Sequence, residues 1–320
     1  MTEHVTVIVC TRDRPRELER CLAALGALEH PSFDILVVDN GAVDGIAELC
    51  RHYGAACIRE PLPGLTRARN LGARAARSPL VAYIDDDAIA EPGWLSALVR
   101  PLSDPAVAAV AGRTLYMKSR GDTLEMSQEP AAGEGRDRPA CIVDRATPGW
   151  FALACFGGIG DGNTMAFRRD LLTSAVRFDE RIGRGKLIDG GDEHVAFMSL
   201  ISDGHRVAHA DDAVVRHPAP GSDAARRAKR RRDLRSSIAY LLFLFAQFPR
   251  HRTDIAAFVA RALLRRTRRR AAAGAQPRLQ ATETMACLWQ GCHLYRRARK
   301  EWRAPRLAGG TAAARVVTLR

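Results

Sequence analysis

The apolar residues of the first third of the chain fall in short continuous runs separated by amphipathic stretches. VTVIVCT, between His4 and Arg12, is β-branched with few polar breaks, the pattern of a strand buried on both faces. Pro15 is placed for a helix start, and Leu18, Cys21, Leu22, Leu25 and Leu28 recur at helical spacing until Pro31. A second strand runs from Phe33 to Asn40, followed by Gly41 and a helix near Gly45 to Tyr53. A short third strand, Ala56 to Arg59, leads through Pro61 and Gly64 into a helix from Leu65 to Arg77. VAYIDDD, Val81 to Asp87, closes the series. Strands alternating with helices predict an α/β fold around a doubly wound, mostly parallel central sheet, with ligands at the carboxyl ends of the strands.

The middle of the chain is less regular. Ala106 to Gly112 predicts a strand, and the polar stretch from Lys118 to Arg145 predicts a mobile loop. Trp150, Phe151 and the glycine-rich FGGIGDGN precede a strand at Thr164 to Phe167 and a helical turn from Arg168 to Leu172. Val195 to Ile201 reads as a helix, and Gly204 to His209 with Ala213 to Pro218 as a strand pair. Trp150 and Phe151 are candidate stacking surfaces for an acceptor sugar.

Charge divides the chain in two. Residues 1–222 hold 25 Lys and Arg against 31 Asp and Glu, a net of −6, whereas residues 223–320 hold 24 against 5, a net of +19. The overall +13 is therefore a property of the tail. An acidic body with a basic helical tail points to an enzyme attached to something anionic. The tail carries no aromatic interleaving of a nucleic-acid module, so nucleic acid is not the expected partner. Peripheral contact with an anionic membrane and self-association are the two expectations for it. The apolar run Ile238 to Phe248 is about half the ~20 residues of a transmembrane helix. Eight cysteines without a CxxC pair argue against structural zinc and for reduced thiols packed as small hydrophobes. With no signal segment recognised at the N-terminus, the expected location is the cytoplasm, with peripheral contact at the inner face of the cell membrane.

Asp85, Asp86 and Asp87 are the focus of the candidate chemistry. Adjacent carboxylates at the end of a buried strand repel one another and need a divalent cation or a cationic partner. In extended chain Asp85 and Asp87 share one face and Asp86 the other, giving an oxygen-rich half-site suited to Mg²⁺ or Mn²⁺. The other strand ends bring Thr11 and Arg12, Asp39 and Asn40, with Arg69 and Asn70 from the helix before the triple aspartate. An acidic residue there can bond a base imide or a ribose hydroxyl, and an arginine can answer a diphosphate. Neither GxGxxG nor GxxxxGK[ST] follows the first strand, so metal and arginine would have to hold the diphosphate.

VTVIVCTRDRP, ILVVDNGAVDG, GLTRARNLG and VAYIDDDA, in that order, resemble the successive motifs of family 2 glycosyltransferases with a GT-A fold, bacterial nucleotide-sugar-dependent inverting enzymes among them. The likeness covers residues 4–218. It implies a catalytic domain over 1–222, with a nucleotide-sugar half at 1–115 and an acceptor half at 116–222, and the composition shift at Asp223 marks a basic helical region over 223–320. The likeness also implies a base contact at Asp39 and a metal and sugar-nucleotide site at Asp85 and Asp87, to which the strand-end reading adds Thr11, Arg12, Arg69, Asn70 and Asp86 as nucleotide-sugar contacts. The Asp-Asp-Gly-Ser common in the family after its second strand is replaced here by Asp39-Asn40-Gly41-Ala42. GGDEH, from Gly190 to His194, resembles the GED motif that supplies the general base, which places that role on Asp192 with Glu193 as the alternative. His217, after a valine-rich strand, occupies the place of a histidine that completes the metal site in many related enzymes. Transfer of a sugar to an acceptor hydroxyl of a glycan, lipid or secondary metabolite is the expected reaction. Two alternatives stand beside it: a sugar nucleotidyltransferase, which would need a glycine-rich loop where Val9 to Arg14 has no glycine, and a degenerate domain that binds a partner.

Overall fold

A computed structural model describes residues 3–120, 123–126, 139–174, 178–218, 223–271 and 281–303. The first alternation of strands and helices becomes β1 (Val5–Thr11), α1 (Pro15–Leu25), β2 (Phe33–Asp39), α2 (Ile46–His52), β3 (Ala56–Arg59), α3 (Leu65–Ala75) and β4 (Leu80–Asp85). Pro15 opens α1, where a missing N–H leaves no helical bond unmade, and Leu18, Cys21, Leu22 and Leu25 form its buried stripe. Helix α3 sits almost directly on β1, since a Cβ at Gly72 would lie 2.6 Å from Ile8 Cγ2.

There follow β5 (Ile89–Ala90), α4 (Trp94–Val99), β6 (Val107–Arg120), β7 (Thr123–Met126), β8 (Cys141–Val143), α5 (Trp150–Cys155), β9 (Thr164–Arg168), α6 (Arg169–Ser174), α7 (Asp192–Ser202) and β10 (Arg206–Pro218). Among the described residues the strands make one sheet in the order β3-β2-β1-β4-β9-β6-β10-β5, with β7 added to β6 and β8 to β10. Strands β3, β2, β1, β4, β6 and β10 point one way, and β9, β5, β7 and β8 the other. One face packs on α1 and α4 through Val5, Val7, Val9, Leu22 and Trp94. On the other, Tyr83, Phe167, Phe178 and Phe197 form an aromatic cluster with centroids 5.6–6.2 Å apart.

Three sequence expectations change. Residues 204–218 do not form a strand pair, because β10 is a single strand whose register slips between His209 and Val214, absorbing the polar Asp211 and Asp212. The stretch from Lys118 to Arg145 is not one loop: β6 continues to Arg120, and β7 and β8 pair onto the sheet. The rest of that stretch, 121–122 and 127–138, lies outside the described residues, as does 304–320. Phe151 is buried, so it packs in the interior instead of offering a stacking surface.

The chain divides into two compact units, Met1–Glu180 with Asp192–Gly221, and Arg181–Gly191 with Ser222–Gly309. The segment 181–191, read from sequence as part of the first domain, thus groups with the C-terminal helices. The second unit is built from α8 (Asp223–Gln247), α9 (Arg252–Ala271) and α10 (Ala281–Arg303). The basic cluster before Ile238 and the apolar run after it are one continuous helix, α8. Gly291 of α10 lets the two helices meet, for a Cβ there would stand 2.7 Å from Ile238 Cβ. The Arg181 guanidinium lies over Phe243 and Trp302, 5.1 and 5.5 Å from their centroids. Among the described residues no helix is long and apolar enough to cross a membrane.

Candidate active site

β4 ends at Asp85, and the Ala88 N–H donates to the Asp85 carbonyl at 3.1 Å, closing a turn that carries Asp86 and Asp87. This turn, more than strand alternation, sorts the three carboxylates. Asp85 and Asp87 converge with His217 at the end of β10, and one ligand atom from each lies within 4.8 Å of the others. Asp86 turns away and accepts from the Thr11 hydroxyl at 2.8 Å and from Arg14 at 3.3 Å. Arg14 also reaches Asp87 Oδ2 at 2.9 Å, while His217 Nε2 stands 3.0 Å from Asp87 Oδ1.

Burial pushes the Asp86 carboxyl up to about 6 against the Thr11 bond, and it raises Asp85 against Arg69. Burial would raise Asp87 too, but the His217 hydrogen bond and charge hold it below the usual carboxylate range. The His217 Nδ1 lies 2.9 Å from the Pro218 carbonyl, so Nδ1 carries the proton and Nε2 presents its lone pair when the imidazole is neutral. Two carboxylate oxygens and an imidazole nitrogen oriented in this way fit Mn²⁺ or Mg²⁺.

Beside this cluster lies a buried cation. Arg69 of α3 donates to Asp192 Oδ2 at 2.8 Å and to the Gly162 carbonyl at 2.7 Å, and its guanidinium also stands 3.6 Å from Asp85 and 3.9 Å from Glu193. Tyr83 OH donates to the Arg69 carbonyl at 3.0 Å and anchors that turn of the helix. Asp192 is 1 % exposed at the first turn of α7, where the helix dipole favours a carboxylate. Burial and the neighbouring Glu193 charge raise Asp192 to about 7 against Arg69. Burial also acts upward on Glu193, but His194 and Arg69 prevail and hold it low. The Glu193 side chain keeps 13 % of its surface open and its charge is felt at Asp85. Gly162 lies close under both side chains: a Cβ there would fall 2.9 Å from Arg69 Nη2 and 3.1 Å from Glu193 Cδ, so that these groups would have to shift.

At the end of β2, Asp39 Oδ1 accepts from the Gly41 N–H at 2.9 Å and Oδ2 from Arg59 at 2.8 Å. Asn40 pins the β3–α3 loop through the carbonyls of Glu60 and Leu62 and the N–H of Gly64, each at 2.8 Å. Asp13, held at φ 58°, accepts from the N–H groups of Ala42 and Val43 at 2.6 and 3.0 Å. Two polar loops are thereby fixed around the Asp39 carboxylate.

Of the residues singled out on sequence, Asp85, Asp87 and His217 meet in one cluster, and Arg69, Asp192 and Glu193 in the adjoining one. Thr11 and Asp86 bond each other. Asn70 bonds the backbone of Phe178 in both directions, at 2.9 and 3.1 Å, and so serves to hold the chain after β9. Arg12 is exposed and lies 3.8 Å from Asp13. Arg14, Arg59 and Gly162 were not anticipated. The signal for the two arginines is their position, one just beyond β1 and the other closing β3. No local pattern marks Gly162, whose neighbours come from α3 and α7.

Residues 6–158 match the model of Glycosyl transferase family 2. The pre-mycofactocin glycosyltransferase of Mycobacterium tuberculosis is 34% identical over 224 residues, 67% of this chain and 42% of that protein. Glycosyltransferase AglE of Haloferax volcanii is 28% identical over 127 residues, 37% of this chain and 42% of that protein. The chain thus spans less than half the length of these curated relatives. Among solved structures, a mannosyltransferase of Pyrobaculum calidifontis in complex with GDP-Man and Mn²⁺ superposes with a TM-score of 0.56 at 20% identity, covering 94% of this chain and 83% of that one. That likeness is one of fold, and the fold is GT-A. With these motifs on this sheet, residues 6–158 form a domain of glycosyl transferase family 2.

Proposed function

We propose that the protein is a metal-dependent, inverting glycosyltransferase that moves a sugar from a nucleotide-sugar donor to an acceptor hydroxyl. The observation that carries this reading is the Asp85–Asp87–His217 cluster set beside the Arg69–Asp192–Glu193 group. A divalent ion held by the first cluster would offset the negative charge of the donor diphosphate. Asp39, with Oδ1 and Oδ2 each keeping a lone pair after Gly41 and Arg59 are bonded, accepts an N–H of the base.

Glu193 is the general base in this account, and Asp192, preferred on sequence, is a positioning residue. Asp192 would be the stronger base by its raised pKa, but its carboxylate is enclosed and occupied by Arg69, whereas Glu193 is the more open and faces the Asp85 side. Reach to the acceptor proton comes before basicity. Glu193 takes the hydroxyl proton as the acceptor oxygen bonds the anomeric carbon. The bond from that carbon to the diphosphate oxygen breaks on the opposite face, inverting the centre and releasing nucleoside diphosphate.

The basic C-terminal helices serve in this reading as an attachment region for an anionic partner. Thermal-shift measurements with UDP, GDP and dTDP, each with Mn²⁺ or with EDTA, test the donor site. Stabilisation by at least one nucleotide only when Mn²⁺ is present is expected, and no shift with any of them would refute the reading.

A further inference from the structure

The two sides of α10 differ. Cys287, Gly291 and Ala298 are buried, with Gly291 seated on Ile238 of α8. On the opposite side of the helix, Trp289 is 70 % exposed, Met285 64 % and Leu288 40 %. They lie at i, i+3 and i+4, which makes them neighbours on one outward stripe of the helix. Cys292 and His293 extend the stripe, the His293 ring stacking on Trp289 with centroids 5.7 Å apart. Beyond it come Arg296, Arg297, Arg299 and Lys300, all exposed, with Glu301 the exposed carboxylate beside them.

We infer that this stripe of α10 docks on an anionic lipid bilayer, with Met285, Leu288 and Trp289 entering the interfacial layer and the following cations meeting headgroup phosphates. The inference narrows the attachment reading to one face and one partner, and it does not depend on glycosyl transfer. Three features select the bilayer. An indole with an apolar body and a polar N–H is suited to the headgroup boundary. The flanking charge is cationic in a region of net +19, complementary to acidic lipid. A second copy meeting the same face across a twofold axis would set these cations against their own images, and three apolar side chains fall well short of the roughly 800 Å² per partner of a stable interface.

Co-sedimentation of the full chain with phosphatidylcholine vesicles, with and without phosphatidylglycerol, tests the inference. Binding is expected only to vesicles containing phosphatidylglycerol, and it should weaken as salt rises. Trp289→Ala should lower partitioning on the order of tenfold, and Arg296→Gln with Arg299→Gln about tenfold more. Because these side chains are exposed, the melting temperature and Mn²⁺-dependent nucleotide binding should stay at wild-type values, which separates failure here from failure of the transferase reading. Equal binding to neutral vesicles, or wild-type binding by the Met285→Ser, Leu288→Ser, Trp289→Ala triple variant, would overturn it. So would a dimer that this triple variant converts to monomer, or binding to single-stranded RNA in place of lipid.

Discussion

Exchanging the two adjacent carboxylates one at a time separates the base from the residue that positions its neighbour. In Asp192→Asn, Arg69 loses the anion 2.8 Å away and keeps Asp85 at 3.6 Å and Glu193 at 3.9 Å. Uncoupling a buried pair of this kind costs about 3 kcal/mol. At about 2–4 °C per kcal/mol for a domain of this size, the melting temperature should fall by roughly 6–12 °C. Glu193 makes only the longer contact to Arg69, so Glu193→Gln should move the melting temperature by less than half as much. Its effect is on chemistry: an amide cannot accept the acceptor proton, and turnover should drop by about 10²–10⁴ with donor affinity nearly unchanged. Two measurements suffice, calorimetric unfolding of both variants and release of nucleoside diphosphate from the nucleotide sugar that the protein binds. If Glu193→Gln turns over normally while Asp192→Asn is inactive yet thermally stable, the roles are reversed and Asp192 is the base.

Other expectations follow from the same geometry. Gly162→Ala should lower turnover by about 10² while nucleotide binding persists, because its methyl displaces Arg69 and Glu193 and leaves the loops around Asp39 untouched; wild-type turnover would show that the Gly162 contact does not position them. Arg59→Ala removes the 2.8 Å bond to Asp39, so nucleotide affinity should fall about tenfold with the rate from bound donor preserved; a change in rate alone would count against a role in base binding. In the native state, iodoacetamide should label exposed Cys141 and Cys292 and spare Cys10, whose thiol burial pushes up to about 12; mass spectrometry showing Cys10 labelled as fast as Cys292 would contradict the packing at the end of β1.

The early strands and helices were legible because each carries its own local signal: the β-branched run of β1, Pro15 before the stripe of α1, and the carboxylates that end β4. Strand direction is not local. The residues of β9 are as apolar as those of β1, and only the tertiary arrangement inserts β9 antiparallel between β4 and β6. Strand β5, two residues long, is too short to leave a periodic trace. The Asp85–Asp87–His217 cluster was readable as two aspartates and a histidine, but the turn that parts Asp86 from its neighbours depends on Thr11 and Arg14, more than seventy residues earlier. Asp192 and Glu193 are adjacent in sequence and alike in charge, and they differ by their surroundings: Asp192 is enclosed on Arg69 of α3, whereas Glu193 lies beside His194 as well and keeps more of its surface open.

The central claim is tested most directly by nucleoside diphosphate release from a panel of nucleotide sugars, assayed with Mn²⁺, after EDTA, and after Mn²⁺ is restored. The account predicts that at least one donor is turned over with Mn²⁺, that EDTA stops the reaction and added Mn²⁺ recovers it, and that Asp87→Ala stays inactive throughout. Turnover that persists in EDTA, or full activity of Asp87→Ala, would contradict it.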